Sequence, residues 1–511
     1  MKNLLSKSSE MSTEYCVSVV RLGEIIPIEN ADSIAKTLVN GREIVISKDK
    51  KEGDIMLYAS NECQLNSDFM SVNNLYEDVT LNANCDEVTA WLNDNPNATE
   101  DEKKVYLQSH RGYFDKNARV RMKKLRGTFS MGFLFEPVLI EKWCPMLDVN
   151  WEDMVGEDFD TVNGELFVKA YVPPKNDVRS GGGKGAKLAR KVAKYDRMIP
   201  GQFSFHYETE QLNKEIHRIA PTDVVTISCK LHGTSAIIGN ILVKKPRWRG
   251  WFGWYERVFV YLPKFLQFTT PVYDLVRSSR KVIINKEINP NKGVGYSDGQ
   301  VQEAVTAWAQ RIGKYIPQGT TIYGEIVGYY EKSNTPIQTV GGNIYDYKAK
   351  PGENSLMIYR IKQTQTDGTV KELDVMDVYN WTLDLISKVQ ADEASGVIAV
   401  NEKETKISDR IHPIDILYHG TLADLYPELD VENHWHENVL EKMKVDTEHF
   451  GMEMLEPLCR NKSYREGIVL RKDGDAVPEA WKLKCINFLQ KEASDMDKGK
   501  ISDEEMMERY S

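Results

Sequence analysis

Residues 226–238 read TISCKLHGTSAII, and the meaning of Lys230 within them decides the fold. The stretch reads as two short buried strands broken at a His-Gly pair, with Lys230 two residues before that pair. A strand entering a core is a costly place for a cation unless its head reaches water or its charge is used. Lys230 is therefore either a snorkelling strand-edge lysine or a nucleophile. KLHG alone does not separate the two.

Four further motifs follow downstream in order. IYGEIVG sets Glu325 among apolar strand residues, where an unpaired carboxylate is expensive. LMIYRI sets Tyr359 in a second apolar strand, and REGIVLR sets Glu466 ahead of a Gly and an apolar run. AWKLKCINF sets Lys482 and Lys484 two apart, which on a strand is one face. Two ammonium groups side by side are unfavourable unless an anion lies between them. Singly, each motif has a plain structural account. Glu325 could pair with an arginine, Tyr359 could be a core aromatic, Glu466 a turn acid, and the two lysines a solvated strand side. Their joint occurrence in one order favours a shared site.

That order resembles the covalent nucleotidyltransferases, which include ATP-dependent ligases and RNA-capping enzymes, from about residue 209 to residue 488. The Lys-x-His-Gly form is similar to RNA ligases, whereas DNA ligases and capping enzymes usually carry Lys-x-Asp-Gly. The lead-in HYETEQLNKEIHRIAPTDVVTI and the early KKLRGTFSMGFLF resemble the Deinococcus-type RNA ligases, which carry an N-terminal OB module. About two dozen residues follow Lys484, too few for the C-terminal OB domain of DNA ligases.

The resemblance implies a role for each residue. Lys230 would attack the α-phosphorus of ATP and form lysyl-AMP. Its amine must then be neutral, against an ordinary pKa of about 10.4, and Lys482, Lys484 and a bound metal would favour that form. The same two lysines would hold the α-phosphate. Glu325 would accept from the ribose, Tyr359 would stack on adenine, and Glu466 would hold Mg²⁺ or Mn²⁺. Arg280, in VRSSRKVI, would contact ribose and the incoming 5′-phosphate. His232 and Gly233 would shape the nucleotide pocket. The chain also departs from the family. Cys229 stands where relatives have an acid, and Arg360 where they have an Asp.

The surrounding chain frames these motifs. At 511 residues two or three domains are expected, and the net charge of −10 argues against indiscriminate coating of nucleic acid. The seven cysteines form no CxxC pair, which suits a reducing compartment. No signal peptide or membrane-spanning run is read, so a cytoplasmic protein is expected, in the host cytoplasm if a virus encodes it. The fold expected is α+β. An OB-fold β-barrel with a helical insertion spans 1–170, and a basic linker spans 171–205. A nucleotidyltransferase domain of antiparallel sheets flanked by helices spans 206–490, and an acidic tail 491–511. In the linker, KGAKLARKVAK would align Lys184, Lys187, Lys191 and Lys194 on one helix side, as a solvated charge run or a phosphate contact. Helices are expected over DGQVQEAVTAWAQRIGKYI, DVMDVYNWTLDLISKVQADEA and NVLEKMKVDTEHFGMEMLEPLCRN. The Trp- and Arg-rich stretch 244–268 could clamp single-stranded nucleic acid, lie on a membrane or partner, or bury its tryptophans.

The function expected is ATP-dependent RNA ligation of 3′-OH and 5′-phosphate ends, at nicks in duplexes with RNA on the 3′-OH side. The partner is RNA or an RNA-containing duplex, the cofactors are ATP and Mg²⁺ or Mn²⁺, and a monomer is expected. One alternative is a single-strand or tRNA-repair ligase. Another, of a different class, is a non-catalytic binding protein with a ligase-like fold.

Overall fold

The computed structural model describes residues 5–8, 11, 14–109, 112–172, 196–206, 209–247, 259, 262, 264–286, 299–401, 404–449, 456, 458–474 and 478–499. The basic run 184–194 and most of the Trp-rich stretch 244–268 lie outside them. The chain forms two compact units. One comprises Met1–Pro174, Asn213–Ile216 and Ala493–Ser511; the other comprises Lys175–Leu212 and His217–Glu492. Among the described residues no helix is long and apolar enough to cross a membrane.

The N-terminal unit is built on short strands, of which Ile34–Val39, Arg42–Ser47 and Gly132–Phe135 alternate in burial. The short strands are β1 (Val17–Arg21), β2 (Ile34–Val39), β3 (Arg42–Ser47), β4 (Ile55–Ser60), β5 (Lys123–Leu125), β6 (Thr128–Ser130), β7 (Gly132–Phe135) and β8 (Asp158–Phe159). The order β7-β4-β1-β8 makes one antiparallel sheet, β2 and β3 join Ile26–Pro27 in a second, and β5–β6 is a hairpin. The helix-leaning insertion holds α1 (Ser67–Val72), α2 (Asp86–Asp94) and α3 (Glu100–Ser109). Asn66 caps α1 by accepting from the Asp68 and Phe69 amides. Val17, Val19, Leu57, Phe69, Phe133, Phe135 and Phe159 meet in the core, where each large apolar side chain contributes about 1.5–3 kcal/mol. The hairpin turns at Arg126 (φ 48°) and Gly127 (φ 88°), leaving Lys123, Lys124 and Arg126 exposed.

The second unit carries two sheets. Its strands are β9 (Glu210–Gln211), β10 (Val224–Lys230), β11 (Thr234–Pro246), β12 (Thr269–Ser278), β13 (Thr320–Gly328), β14 (Asn354–Thr364), β15 (Val370–Glu372), β16 (Ile411–Pro413), β17 (Ile416–Thr421), β18 (Gly467–Lys472) and β19 (Glu479–Lys484). One sheet runs β9-β19-β18-β10-β17, with only β9 and β19 parallel; the other runs β12-β11-β13-β14-β15, with β16 added parallel to β14. Helices α4 (Gly299–Ile312) and α5 (Val375–Ala394) cover the second sheet. Trp308 and Ile312 of α4 and Leu385 and Val389 of α5 join Ile238, Ile322 and Ile358 in one buried cluster. The third expected helix is α6 (Trp435–His449). It does not reach 461: residues 458–466 form an irregular lead into β18. The last helix is α7 (Ile486–Asp497).

Candidate active site

KLHG is the crossover between the two sheets of the second unit. Lys230 ends β10, Thr234 starts β11, and Leu231, His232 and Gly233 make the passage. The His232 amide donates to Tyr347 Oη at 2.8 Å, and Gln338 Nε2 donates to the Gly233 carbonyl at 2.9 Å. Buried backbone is thereby satisfied without a ladder. Gly233 is required by close approach: a Cβ there would lie 2.5 Å from the Ile326 carbonyl oxygen and 2.8 Å from Glu325 Cγ. A second glycine closes the other side. Lys230 pairs with Gly467 of β18, and a Cβ on Gly467 would meet the Leu483 carbonyl oxygen of β19 at 2.1 Å. The Cys485 amide donates to the Glu466 carbonyl at 3.0 Å, which brings the end of β19 beside Glu466.

Two lysines and a histidine converge on Glu466. Lys230 Nζ donates to Glu466 Oε1 at 2.6 Å, Lys484 Nζ lies 3.9 Å from the same oxygen, and His232 Nδ1 lies 3.7 Å from Oε2. Glu466 is 3% exposed, so burial alone would raise its carboxyl; Lys230, His232 and Lys484 together outweigh that and hold it below the ordinary range. Burial dominates at His232 and lowers its pKa, so the ring, set edge-on to Tyr345 and Phe488, is held neutral. Lys484 also lies 3.3 Å from both carboxylate oxygens of Glu492. Lys482, two residues earlier on the same strand face, pairs in register with Val469 and Gln211. The charge nearest Lys230 is thus a carboxylate, where the sequence pointed to the two lysines.

The other end of the site is on the second sheet. Glu325 stands mid-strand in β13, opposite Ser235 of β11 and Met357 of β14. Tyr359 is the extra residue of a β-bulge: Tyr323 pairs with Arg360 and Gly324 with Ile358, which skips Tyr359. Bulges re-aim a side chain, and this one frees the ring from the ladder. Burial raises the Tyr359 hydroxyl pKa, Glu325 raises it further and Arg280 opposes, which ties the three residues electrostatically. Arg280 sits in the turn closed by the Ser279 amide on the Val282 carbonyl at 3.0 Å, just past β12. Arg360 makes a bidentate pair with Glu372, Nε–Oε1 and Nη2–Oε2 both 2.7 Å, with both side chains buried. Cys229, beside the lysine, is buried, and its thiol is pushed up mainly by that burial.

Two participants escaped the sequence reading. Glu492 was placed in the tail, and His206, within the quoted lead-in, carried no role. His206 lies against Tyr359, ring centroids 5.3 Å apart, and the two are hydrogen-bonded through Nε2 and Oη. For a metal, the described residues offer no cluster of three or more His, Cys, Asp or Glu. Glu466 does offer a buried Oε2 with no hydrogen-bond partner. A single carboxylate with a spare oxygen suits Mg²⁺ or Mn²⁺, which keep water and phosphate as their other ligands.

The fold is shared with a solved protein. The chain is similar to Naegleria gruberi RNA ligase in several solved forms. A point mutant without ligand has 14% identity, covers 95% of this chain and 100% of that one, and gives a TM-score of 0.51. A second mutant, with ATP and Mn, has 14% identity, the same coverage and a TM-score of 0.50. A third, with AMP and Mn, has 16% identity over 93% of this chain and 98% of that one, again at 0.50. No protein-family model and no curated protein matches the chain.

Proposed function

We propose that the chain is an ATP-dependent RNA ligase that joins 3′-OH and 5′-phosphate ends through lysyl-AMP, at nicks in duplexes with RNA on the 3′-OH side. The observation that carries this is Lys230 at the sheet crossover, bonded to Glu466 and near Lys484, within a fold shared with an RNA ligase. Attack requires Lys230 to leave Glu466 and lose its proton to solvent. The amine nitrogen then bonds to the α-phosphorus, the α–β P–O bond breaks and pyrophosphate leaves. Lys482 and Lys484 would neutralise the charge that builds on the α-phosphate. Glu466 would hold a divalent cation, which supplies further charge neutralisation at the phosphates. The 5′-phosphate of the RNA then takes AMP from Lys230, and the 3′-OH displaces AMP to form the phosphodiester.

Arg280 suits the 5′-phosphate, Glu325 the ribose hydroxyls and Tyr359 the base; His232 and Gly233 shape the floor. The N-terminal unit is read as an OB-type module that grips the strand by its backbone. Its exposed hairpin supports this: Lys123 Nζ lies 5.0 Å over the half-exposed Tyr113 ring and Lys124 Nζ 4.9 Å over Phe129, with no acid on the hairpin strands. A monomeric, cytoplasmic enzyme is consistent with this assignment.

The test is incubation with ATP labelled at the α-phosphate and Mg²⁺ or Mn²⁺, followed by denaturing electrophoresis. The expected result is a covalent label absent in Lys230→Ala and reversed by pyrophosphate. Nicked duplexes and single strands then separate the ligase subtypes. A folded protein, free of pre-bound AMP, that takes no label with either metal overturns the proposal.

A further inference from the structure

Two segments beside the crossover are basic in a chain that is acidic overall. Residues 338–352 read QTVGGNIYDYKAKPG and hold one acid, Asp346; residues 458–465 read LCRNKSYR and hold none. The two segments are tied together. Asn343 Nδ2 donates to the Lys462 carbonyl at 2.9 Å, Ser463 Oγ to the Ile344 carbonyl at 2.9 Å and Tyr345 Oη to the Tyr464 carbonyl at 2.7 Å. Asp346 is buried, and its charge is satisfied inward. It accepts from the Arg460 amide at 2.9 Å, from Arg460 Nε at 3.3 Å and from Asn461 Nδ2 at 3.1 Å. Lys491 of α7 lies against the turn of the Thr339–Ile344 hairpin, since a Cβ on Gly341 would meet its Cδ at 2.8 Å.

The outer side of this assembly is left to cations. Lys348, Lys350, Lys462 and Lys491 are exposed, and Arg460 keeps 51% of its side-chain surface in water. The next acid along the chain, Glu353, is turned to Thr405, whose amide and hydroxyl donate to it at 3.0 and 2.6 Å. The backbone beneath Lys348 is held at a cost. Tyr347 and Lys348 take successive left-handed conformations, φ 42° and 66°, which strain any residue with a Cβ. Tyr347 is buried, and its hydroxyl accepts from the His232 amide, while Lys348 stays outside. The same segment reaches the crossover a second time through Gln338, which donates to the Gly233 carbonyl. The basic surface is thereby braced on the stretch that carries Lys230.

We propose that Lys348, Lys350, Arg460, Lys462 and Lys491 form a docking surface for the phosphodiester backbone of the RNA-containing duplex. This rests on the proposed ligase function and names where its polynucleotide is held. Clustered cations repel one another until an anion neutralises them, and release of condensed counterions favours a nucleic-acid backbone over an isolated phosphate. Contacts of this kind fix the position of a strand without reading its bases.

The experiment measures binding of a fluorescent nicked duplex, with RNA on the 3′-OH side, by anisotropy from about 50 to about 300 mM KCl. The four lysines are replaced together in the full chain. Lys348→Asn tolerates the left-handed backbone, and Lys350→Gln, Lys462→Gln and Lys491→Gln complete the set. Arg460 is kept because it braces Asp346. A control protein removes the same charge through Lys314→Gln, Lys371→Gln, Lys388→Gln and Lys442→Gln, all exposed positions of the second unit. Thermal melts check folding. At the lowest salt the surface variant is expected to bind at least about tenfold more weakly, and the slope of log affinity against log salt should flatten by about two to four. The control should stay within about threefold of wild type. Should the quadruple variant melt early, Lys350→Gln with Lys462→Gln alone is expected to give roughly half the change in slope. Labelling of Lys230 by ATP alone should hold within about threefold, because that step needs no duplex. Equal losses in surface and control variants, an unchanged slope, or a wild type that binds no duplex at the lowest salt overturns the proposal. A wild type that forms no lysyl adduct, with duplex binding lost in the surface variant alone, sinks the ligase function and leaves the docking surface standing.

Discussion

Lys230 Nζ and Glu466 Oε1 are 2.6 Å apart, an ion pair closed between residues 236 positions apart in the chain. Each needs the other in the resting protein, since Glu466 is buried and Lys230 keeps 24% of its side-chain surface in water. Replacing Glu466 by Gln leaves Lys230 and Lys484 facing a neutral group. The expected loss is roughly 2–3 kcal/mol in urea unfolding, just under the range for breaking a fully buried pair. Labelling of Lys230 should fall at least about 100-fold, because the amine loses its guide and the divalent cation proposed to sit on Glu466 would lose its carboxylate. Lys230→Met with Glu466→Gln should recover most of the stability and none of the labelling. Wild-type labelling in Glu466→Gln would exclude that carboxylate from the site.

Gly233 has no room to grow. A methyl group would press on the Ile326 carbonyl, Glu325 Cγ and Val327 Cγ1 at 2.5–2.8 Å, and the first of these is backbone of the central strand of the sheet. Gly233→Ala should cost about 2–3 kcal/mol and shift the crossover away from β13. Calorimetry reads the first effect. The second appears as a labelling rate at least tenfold below wild type at temperatures where the variant is still folded.

The strands of this site were legible because they are apolar runs set between turn signals. DVVTISCKL, TTIYGEIVG, SLMIYRI and AWKLKC all became strands, and Lys482 and Lys484 do share a face. What pairs with what was not legible. Glu466 as the partner of Lys230 and Glu372 as the partner of Arg360 depend on strand order, and Glu492 as a partner of Lys484 on how α7 folds back after β19; periodicity encodes neither. The bulge at Tyr359 was invisible for the same reason: a skipped residue is a property of two strands together. His206 sat in the lead-in without a role because its significance comes from a ring 153 residues away.

Arg360 and Glu372 form a buried pair, and the Arg360 guanidinium lies 4.9 Å over the Tyr323 ring. Arg471 Nη1, 3.5 Å from Glu372 Oε1, is a weaker second partner. Arg360→Ala should therefore destabilise by about 3–4 kcal/mol, because Glu372 stays buried with Arg471 alone. Arg360→Met with Glu372→Leu should be much closer to wild type. A double-mutant cycle in urea reads the coupling, and a coupling near zero would show that the pair is ornamental to the fold. Half-saturating ATP should rise in Arg360→Ala, since Arg360 anchors the residue next to the bulged Tyr359.

Lys362 lies two residues further along β14, its Nζ donating to Ser204 Oγ at 3.1 Å. Burial, then the neighbouring Arg360 charge, lowers its pKa to about 8, with Glu372 opposing. At pH 8 roughly half of Lys362 is then neutral, against well under about 1% of an ordinary lysine. Brief acylation at that pH, read by mass spectrometry, should modify Lys362 roughly tenfold faster than exposed lysines such as Lys332. The sign for stability follows from the same shift. A folded pKa depressed from 10.5 to about 8 gives a contribution present above 10.5 and lost as pH falls through 8. Lys362→Met should therefore melt higher than wild type at pH 7, and the gain should shrink as the pH rises from 8 toward 10.5. A constant difference across that window would place the Lys362 charge in water, with no burial acting on it.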